Sequence, residues 1–508
     1  MNELMTSIPI QFLEIATSLF IFILGLFVLA VIWLYVVDRN HPSNAIQRNY
    51  PVIGRFRYLF QHLGEFFRQY FFAMDREELP FNRAQRNWVN RAASNLDNTV
   101  AFGSTRNLNE TGSVVFVNCP FPTLEQDTVE ADPIQFGPYT QHPYSTSSFF
   151  NISGMSYGAL SKPAVLALSN GAREAGCWMN TGEGGLSPYH LEGGADIVFQ
   201  IGTAKYGVRD EQGNLSEEKL RELAQIEQIK MFEIKLSQGA KPGKGGILPG
   251  NKVTAEIAAI RGIPAGEDSI SPNRHLEVNS VPELLDLIEK VRLITGKPTG
   301  FKSVIGAYGW LESLCAEVHK RGIKSAPDFI TVDSGDGGTG AAPMSLMDDV
   351  GLPIRESLPL VVDILNKAGL VPRIRVIASG KLVTPSDVAW ALCIGADAVV
   401  SARGFMFSLG CIQALKCNKN TCPTGITTHN KRLQRGLVPI EKAARVRHYQ
   451  HNMLHDVGTI AHSCGVRNPR ELRRYHARRV MENGNTVALN DLYPGTAAVP
   501  LELKVAGN

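Results

Sequence analysis

Cysteine is scarce in this chain, with eight among 508 residues, too few for a disulfide scaffold. Neither sign of charge dominates. Fifty-one Lys and Arg stand against 48 Asp and Glu, for a net charge of +3. That balance removes the basic surplus expected of a nucleic-acid binder. No internal repeat or low-complexity tract is present, which excludes solenoid, collagen-like and disordered architectures. No glycine-rich loop ends in Gly-Lys-Ser/Thr, so there is no P-loop. Apolar runs long enough to cross a bilayer are missing, with one exception near the N-terminus. What remains is ordinary globular composition, 44% hydrophobic and 19% charged. The length allows one large domain of ~250 to 400 residues plus extensions.

The exception runs from Ile15 to Val37, apolar except for Thr17 and Ser18. As a helix it measures ~34 Å, enough for a hydrocarbon core of ~30 Å. It is too long for the apolar part of a signal peptide, and no basic residue precedes it. The run therefore reads as a single transmembrane helix over residues 15–37. Arg39, Arg48, Arg55 and Arg57 follow it, whereas only Glu3 and Glu14 are charged before it. The positive-inside rule places residues 1–14 outside and the catalytic body in the cytoplasm. Trp33 and Tyr35 suit an interfacial anchor. Residues 38–148 read as a linker and N-terminal extension. Within them Pro51 to Asp97 mixes aromatics with arginines, which fits either a helix on the membrane surface or one packed on the catalytic domain. A cytoplasmic body is reducing, so clustered cysteines there read as metal ligands or catalytic thiols.

From Phe149 short apolar segments alternate with helical ones. The predicted strands are Phe149–Met155, Cys177–Thr181, Ile197–Ile201, Met231–Leu236, Gly300–Ile305, Phe329–Val332, Ile374–Ala378 and Ala398–Ala402. Helical stretches such as Lys162–Ala175, Val281–Thr295 and Pro385–Ile394 lie between them, with Pro163, Pro282 and Pro385 near helix starts. Eight β-then-α units predict an α/β fold, a closed (β/α)8 barrel over residues 149–410. The long glycine-rich stretch from Gly239 to Val281 reads as an active-site insertion.

The working end of such a barrel is the C-terminal end of its strands. The segments there are rich in glycine and polar residues: Gly154-Met155-Ser156, Asn180 to Gly185, Lys235 to Gly239, Gly335 to Gly340. Asp336, Gly337, Gly338 and Thr339 belong to a glycine-rich turn that opens no Rossmann helix and suits backbone wrapping around a ring or phosphate. Ser379-Gly380 and Arg403-Gly404 end strands seven and eight, the usual phosphate-gripping position. Lys235 and Lys302 sit inside apolar strands, where an unpaired ammonium is costly. Cations so placed suit a flavin, whose reduced ring is negative near N1, or a dicarboxylate.

Cys411, Cys417 and Cys422 follow strand eight as C-x5-C-x4-C, with Pro423 next. Thiolates close together on a loop read as iron or zinc ligands. Structural zinc prefers four ligands in CxxC-type spacing, so the set of three fits a three-iron cluster. Cys464 is either a distant fourth ligand or a core thiol. Residues 423–508 read as a C-terminal helical extension.

At this point Phe149 to about Val466 resembles the FMN-binding synthase domain of glutamate synthases. The resemblance rests on Asn180-Thr181-Gly182-Glu183-Gly184-Gly185, on Lys235-x-x-Gln238-Gly239-Ala240-Lys241-Pro242-Gly243, on Leu248-Pro249-Gly250 and Ile270-Ser271-Pro272, on Asp336-Gly337-Gly338-Thr339-Gly340, and on the cysteine triplet. It implies FMN and a [3Fe-4S] cluster, with reduction of 2-iminoglutarate, formed from 2-oxoglutarate and ammonia, to glutamate. Glu183, Lys241 and Arg261 would contact the 2-oxoacid. Lys235 and Lys302 would lie against flavin or substrate, the two glycine pairs would hold the flavin phosphate, and the three cysteines would ligate a cluster that relays electrons to the flavin. Two departures bear on the substrate: Ile247 stands where the family carries Gln, and Lys244 where it carries Glu. No glutaminase half and no NADPH fingerprint accompany the domain, so ammonia and electrons are expected from elsewhere, such as a ferredoxin-like or reductase partner. The alternatives are a flavin barrel acting on an N-alkyl amino acid or hydroxy acid, and a membrane electron-transfer subunit with a vestigial substrate site.

Overall fold

A computed structural model describes residues 2–41 and 44–494. Met1 and residues 495–508, the end of the expected C-terminal extension, lie outside the described residues. The chain divides into two compact units, Met1–Ala84 and Gln85–Asn508.

The first unit opens with a helix over Asn2–Arg39. Its stretch Phe12–Arg39 is 28 residues long, apolar enough to cross a membrane, with none of its apolar window buried. A short helix, Ala45–Asn49, follows; the Asn44 side chain caps it by accepting from the Gln47 amide. A third helix, Ile53–Phe67, ends in a π-helical turn over Arg68–Phe72.

The second unit is built on eight parallel strands: β1 (Phe150–Ile152), β2 (Met179–Asn180), β3 (Ile197–Ile201), β4 (Ile229–Lys235), β5 (Thr299–Val304), β6 (Phe329–Asp333), β7 (Arg375–Ser379) and β8 (Ala398–Ser401). They pair in chain order, and β8 closes on β1 with Val400 opposite Asn151. The predicted (β/α)8 barrel is therefore the observed fold. The predicted helices Lys162–Ala175, Val281–Thr295 and Pro385–Ile394 are found with those bounds. Strand β2 is shorter than Cys177–Thr181, because the chain turns at once into a 3-10 helix, Gly182–Gly184.

A period of two sorts each strand into an inward and an outward face. Along β4, Met231, Glu233 and Lys235 share one face and form successive storeys of the barrel interior. The lowest storey is apolar: Met231 clusters with Trp178, Val198, Phe329 and Ile377. A two-stranded hairpin, Ile134–Phe136 with Tyr144–Thr146, plugs this end. Its Phe136 meets Trp178 and Phe329 edge-on, at ring separations of 5.8 and 5.9 Å. The next storey is polar. Glu233, 3% exposed, accepts hydrogen bonds from Asn180 Nδ2 (2.8 Å), Gln200 Nε2 (2.7 Å) and Thr331 Oγ1 (2.6 Å). A buried carboxylate is tolerable only with such donors in place of water.

The C-terminal segment differs in part from the helical expectation. A 25-residue helix, Pro439–Ser463, packs on Lys162–Ala175, at a point where Gly171 leaves room for Val446. Beyond it, strands Ala477–Val480 and Thr486–Ala488 pair antiparallel, and the first of them also pairs with Val114–Phe116 of the N-terminal extension. These strands have three or four residues each, too short for alternation to register in a sequence.

Phe136 fills the barrel's closed end, so Phe136→Ala is expected to cost about 3–5 kcal/mol through lost burial and a cavity. The check is the denaturant midpoint of the barrel's unfolding transition; an unchanged midpoint contradicts the plug.

Candidate active site

A cleft of about 1260 Å³, open mouth included, lies over the C-terminal ends of the strands. Ligand sites typically enclose roughly 300–1,000 Å³. Six cationic side chains line it, Lys235, Lys241, Arg261, Lys302, Lys381 and Arg403, against two carboxylates, Glu183 and Asp333. Each cation sits where a strand ends or a loop returns. The insertion supplies Lys241 and Arg261; it folds as a small hairpin, Ile247–Leu248 with Ser269–Ile270, and a helix, Ala255–Arg261.

Glu183 is the electrostatic centre of one wall. Its Oε2 pairs with Lys235 Nζ at 2.9 Å. Burial pulls its pKa upward, but Lys235, Lys241 and Arg261 more than offset that and hold it below its ordinary value. Gly202 and Gly246 give it room: a Cβ on Gly202 would lie 2.6 Å from the Glu183 Cβ, and one on Gly246 would strike its carboxylate. Lys241 is 6% exposed, and its ammonium has no hydrogen-bond partner among the described residues. Burial pushes its pKa down to about 8, helped by Lys235 and Lys244 and opposed by Glu183. Arg261 donates to Ser269 Oγ (3.0 Å) and to the Tyr157 carbonyl (3.4 Å) and stacks over Tyr206 at 5.1 Å. Its buried Nε has no partner among the described residues.

The floor is the second ion pair, Lys302 Nζ to Asp333 Oδ2 at 3.2 Å. The same Asp333 oxygen accepts from the Gly239 amide at 2.9 Å, which pins the start of the insertion. Burial pulls the Lys302 pKa down, but Asp333 and Glu233 more than offset that and raise it above the ordinary value.

Gly154, Met155 and Ser156 also line the cleft, packed beside Gly182 and Gly184, as do Ser379 and Gly380. Gly154 admits no side chain, since a Cβ would come 2.8 Å from Asn180 Oδ1. Gly380 has φ +107, and a Cβ there would collide with Ser334. Gly338 and Thr339 line the cleft, whereas Asp336 and Gly337 do not. Asp336 turns to Lys381 Nζ (2.8 Å) and the Ser334 hydroxyl, and Gly337 packs against Gly239. Gly404 also lies off the cleft: its amide donates to Ser401 Oγ (3.3 Å), and its missing side chain makes room for Tyr449. Arg403 reaches inward, donating to the Thr339 carbonyl and lying 3.7 Å from Cys417 Sγ.

Of the three loop cysteines, Cys417 lines the cleft and Cys411 and Cys422 do not. Among the described residues no group of three His, Cys, Asp or Glu side chains is gathered to hold a metal ion. A side chain that sequence reasoning passes over fixes this loop. Lys252, 2% exposed, donates to the carbonyls of Ala159 (2.9 Å), Thr427 (3.0 Å) and Cys417 (3.3 Å). All three acceptors line the cleft and come from distant parts of the chain. A lysine in a glycine-rich loop looks solvated in the sequence, so nothing there signals this role. Glu233 was findable: it is a charge two residues before Lys235, on the same face of an apolar strand. Lys381, directly after Ser379-Gly380, was equally visible.

A parallel eight-stranded barrel with a basic cleft at its strand ends defines an enzyme of the (β/α)8 class. The family model for the conserved region in glutamate synthase matches residues 119–467. The chain belongs to the glutamate synthase family and is an oxidoreductase of that type. It is 39% identical over 520 aligned residues to the glutamate synthase large subunit-like protein YerD of Bacillus subtilis, covering 94% of this chain and 98% of that one. With the archaeal glutamate synthase (NADPH) of Methanocaldococcus jannaschii it shares 37% identity, over 63% of this chain and 60% of the relative. With the glutamate synthase (NADPH) large chain of Bacillus subtilis the figures are 32% identity, 56% and 18%. The chain thus spans nearly all of the first relative, 60% of the second and 18% of the third.

Lys252→Met would leave the buried Thr427 carbonyl without its donor, at a cost of about 1–3 kcal/mol, and release the part-buried Ala159 and Cys417 carbonyls. We expect a lower unfolding midpoint and faster alkylation of Cys417 in the folded protein, read by mass spectrometry. Unchanged values for both contradict the bridging role.

Proposed function

We propose that the chain binds FMN and a 2-oxoacid-derived imine in this cleft and forms an amino acid, with 2-iminoglutarate as the leading substrate. The surplus of cations over carboxylates in a glycine-walled cleft carries the reading, because FMN and 2-oxoglutarate are both anionic. The residues present fit FMN: Gly154 and Gly380 line the cleft with backbone alone, Ser379 and Arg403 suit a phosphate, and Lys235 and Lys302 suit a ring that gains charge on reduction. When bound, FMN supplies the hydride.

Lys241 and Arg261 clamp the substrate carboxylates, through the unpartnered ammonium of one and the free Nε of the other. Glu183, kept ionised by the cations around it, orients the amino nitrogen and takes or returns its proton. Cys411, Cys417 and Cys422 would be the thiolate ligands of a [3Fe-4S] cluster. Such a cluster would supply one-electron chemistry. The helix Phe12–Arg39 anchors the chain in a membrane, with the arginines after it placing the barrel on the cytoplasmic side. A ferredoxin-like or reductase partner delivers the electrons.

The test is anaerobic incubation of the full chain with 2-oxoglutarate, ammonium and a reduced viologen dye. Glutamate is expected, and Glu183→Gln should lower its rate by about 10²–10⁴-fold. A flavin-loaded protein that forms none overturns the substrate. Ile247, which lines the cleft, favours a second reading, with an N-alkyl amino acid or hydroxy acid as substrate; flavin reduction by such a compound, without glutamate formation, selects it.

The Lys241 pKa of about 8 gives a pH dependence with a defined sign. Below that value the ammonium is charged and attracts a carboxylate; above it the attraction is lost. The dissociation constant for 2-oxoglutarate should therefore rise as pH increases through about 8. Lys241→Met should flatten the profile, as isothermal titration can check.

A further inference from the structure

The helix Ile53–Phe67 carries an apolar stripe that nothing in the reading above uses. Ile53, Phe56, Phe60 and Leu63 recur at helical spacing, which places them on one face. Ile53 is 72% exposed, Phe56 51% and Phe60 65%, and Phe71 and Phe72 in the following turn are more than 60% exposed. An apolar stripe of this kind on a folded chain marks an interaction site.

Its depth relative to a bilayer follows from one ion pair. Asp38 stands directly after the apolar run Ile15–Val37 and is fully buried. It pairs with Arg55 Nη2 at 2.6 Å, and the Val52 amide donates to it at 2.9 Å. Tyr58 adds a hydrogen bond to Asn44 Oδ1 at 3.0 Å. The start of the helix is thus clipped to the residue that leaves the hydrocarbon. At 15 residues the helix measures ~22 Å, too short to cross a core of ~30 Å. Arg57 interrupts the apolar surface, and both it and Arg48 are exposed, as a site facing anionic headgroups requires.

We propose that Ile53–Phe67 lies in the interfacial layer of the membrane, its phenylalanines among the upper acyl chains and Arg57 at lipid phosphates. This rests on the reading of Phe12–Arg39 as a span. It adds a second lipid contact, one that fixes how the chain leaves the bilayer.

The experiment uses the full chain in nanodiscs of phosphatidylcholine and phosphatidylglycerol, with lipids brominated either near the carbonyl end or near the methyl end of the acyl chain. Phe60→Trp adds a reporter on the stripe, Phe56→Trp repeats it, and Leu24→Trp reports on the span; the parent emission is subtracted from each. The stripe reporters should be quenched about twofold or more better by the shallow bromines than by the deep ones. Equal or stronger deep quenching overturns the proposal. So does quenching by aqueous iodide alone, or by no quencher, as when the stripe packs on a second copy. The Leu24→Trp signal separates the two readings. Deep quenching there with unquenched stripe reporters leaves the span standing and removes the interfacial helix. Its absence removes the span, and the stripe reporters alone then decide.

Discussion

A carboxylate inside a barrel is unfavourable unless donors replace the water it has lost. Glu233 meets that condition with three side-chain donors, and the cleft is built upward from it. Its charge helps keep Lys302 protonated despite full burial, and Lys302 in turn pairs with Asp333, which anchors Gly239 and the insertion. One buried negative charge therefore supports a cationic floor and the loop that delivers Lys241 and Arg261. Without it, Lys302 would sit buried with less compensation, and the storey between the apolar plug and the cleft would hold unmatched amides.

The same logic explains why the cleft carries more cations than the protein itself neutralises. Glu183 and Asp333 each take one ammonium directly. Among the described residues Lys241 has only the through-space attraction of Glu183, and the Arg261 Nε has no hydrogen-bond acceptor. Buried cationic groups without partners are costly, and an anionic ligand removes that cost. Preorganisation of this kind is what stabilises charge in a reacting substrate. Lys252 serves the same end from behind, by tying the first strand's loop, the insertion and the cysteine loop into one wall.

The barrel was legible because each strand is a short apolar run bounded by glycine or polar residues, and because proline marks helix starts near Lys162, Val281 and Pro385. Lys235 and Lys302 stood out for a physical reason, charge inside apolar strands, and both line the cleft. Gly404 did not behave as its position implied. A glycine after a strand offers backbone to a phosphate or space to a neighbour, and only packing against Tyr449 distinguishes the two. Asp336 and Gly337 sit in a glycine run whose side-chain directions depend on Ser334, Gly239 and Lys381, all remote in sequence or set by loop conformation. The strand Ala477–Val480 escaped because its pairing partners lie far away in the chain or are three residues long.

The central claim is that the cleft's unmatched cations are matched to a ligand with two carboxylates. Isothermal titration of the flavin-loaded chain at pH 7 with 2-oxoglutarate and with its monocarboxylate analogue 2-oxobutyrate tests this most directly. The account predicts that 2-oxoglutarate binds at least about tenfold more tightly, the value of one charge-assisted contact of roughly 1.4 kcal/mol or more. Equal affinities, or no binding of either, would contradict it.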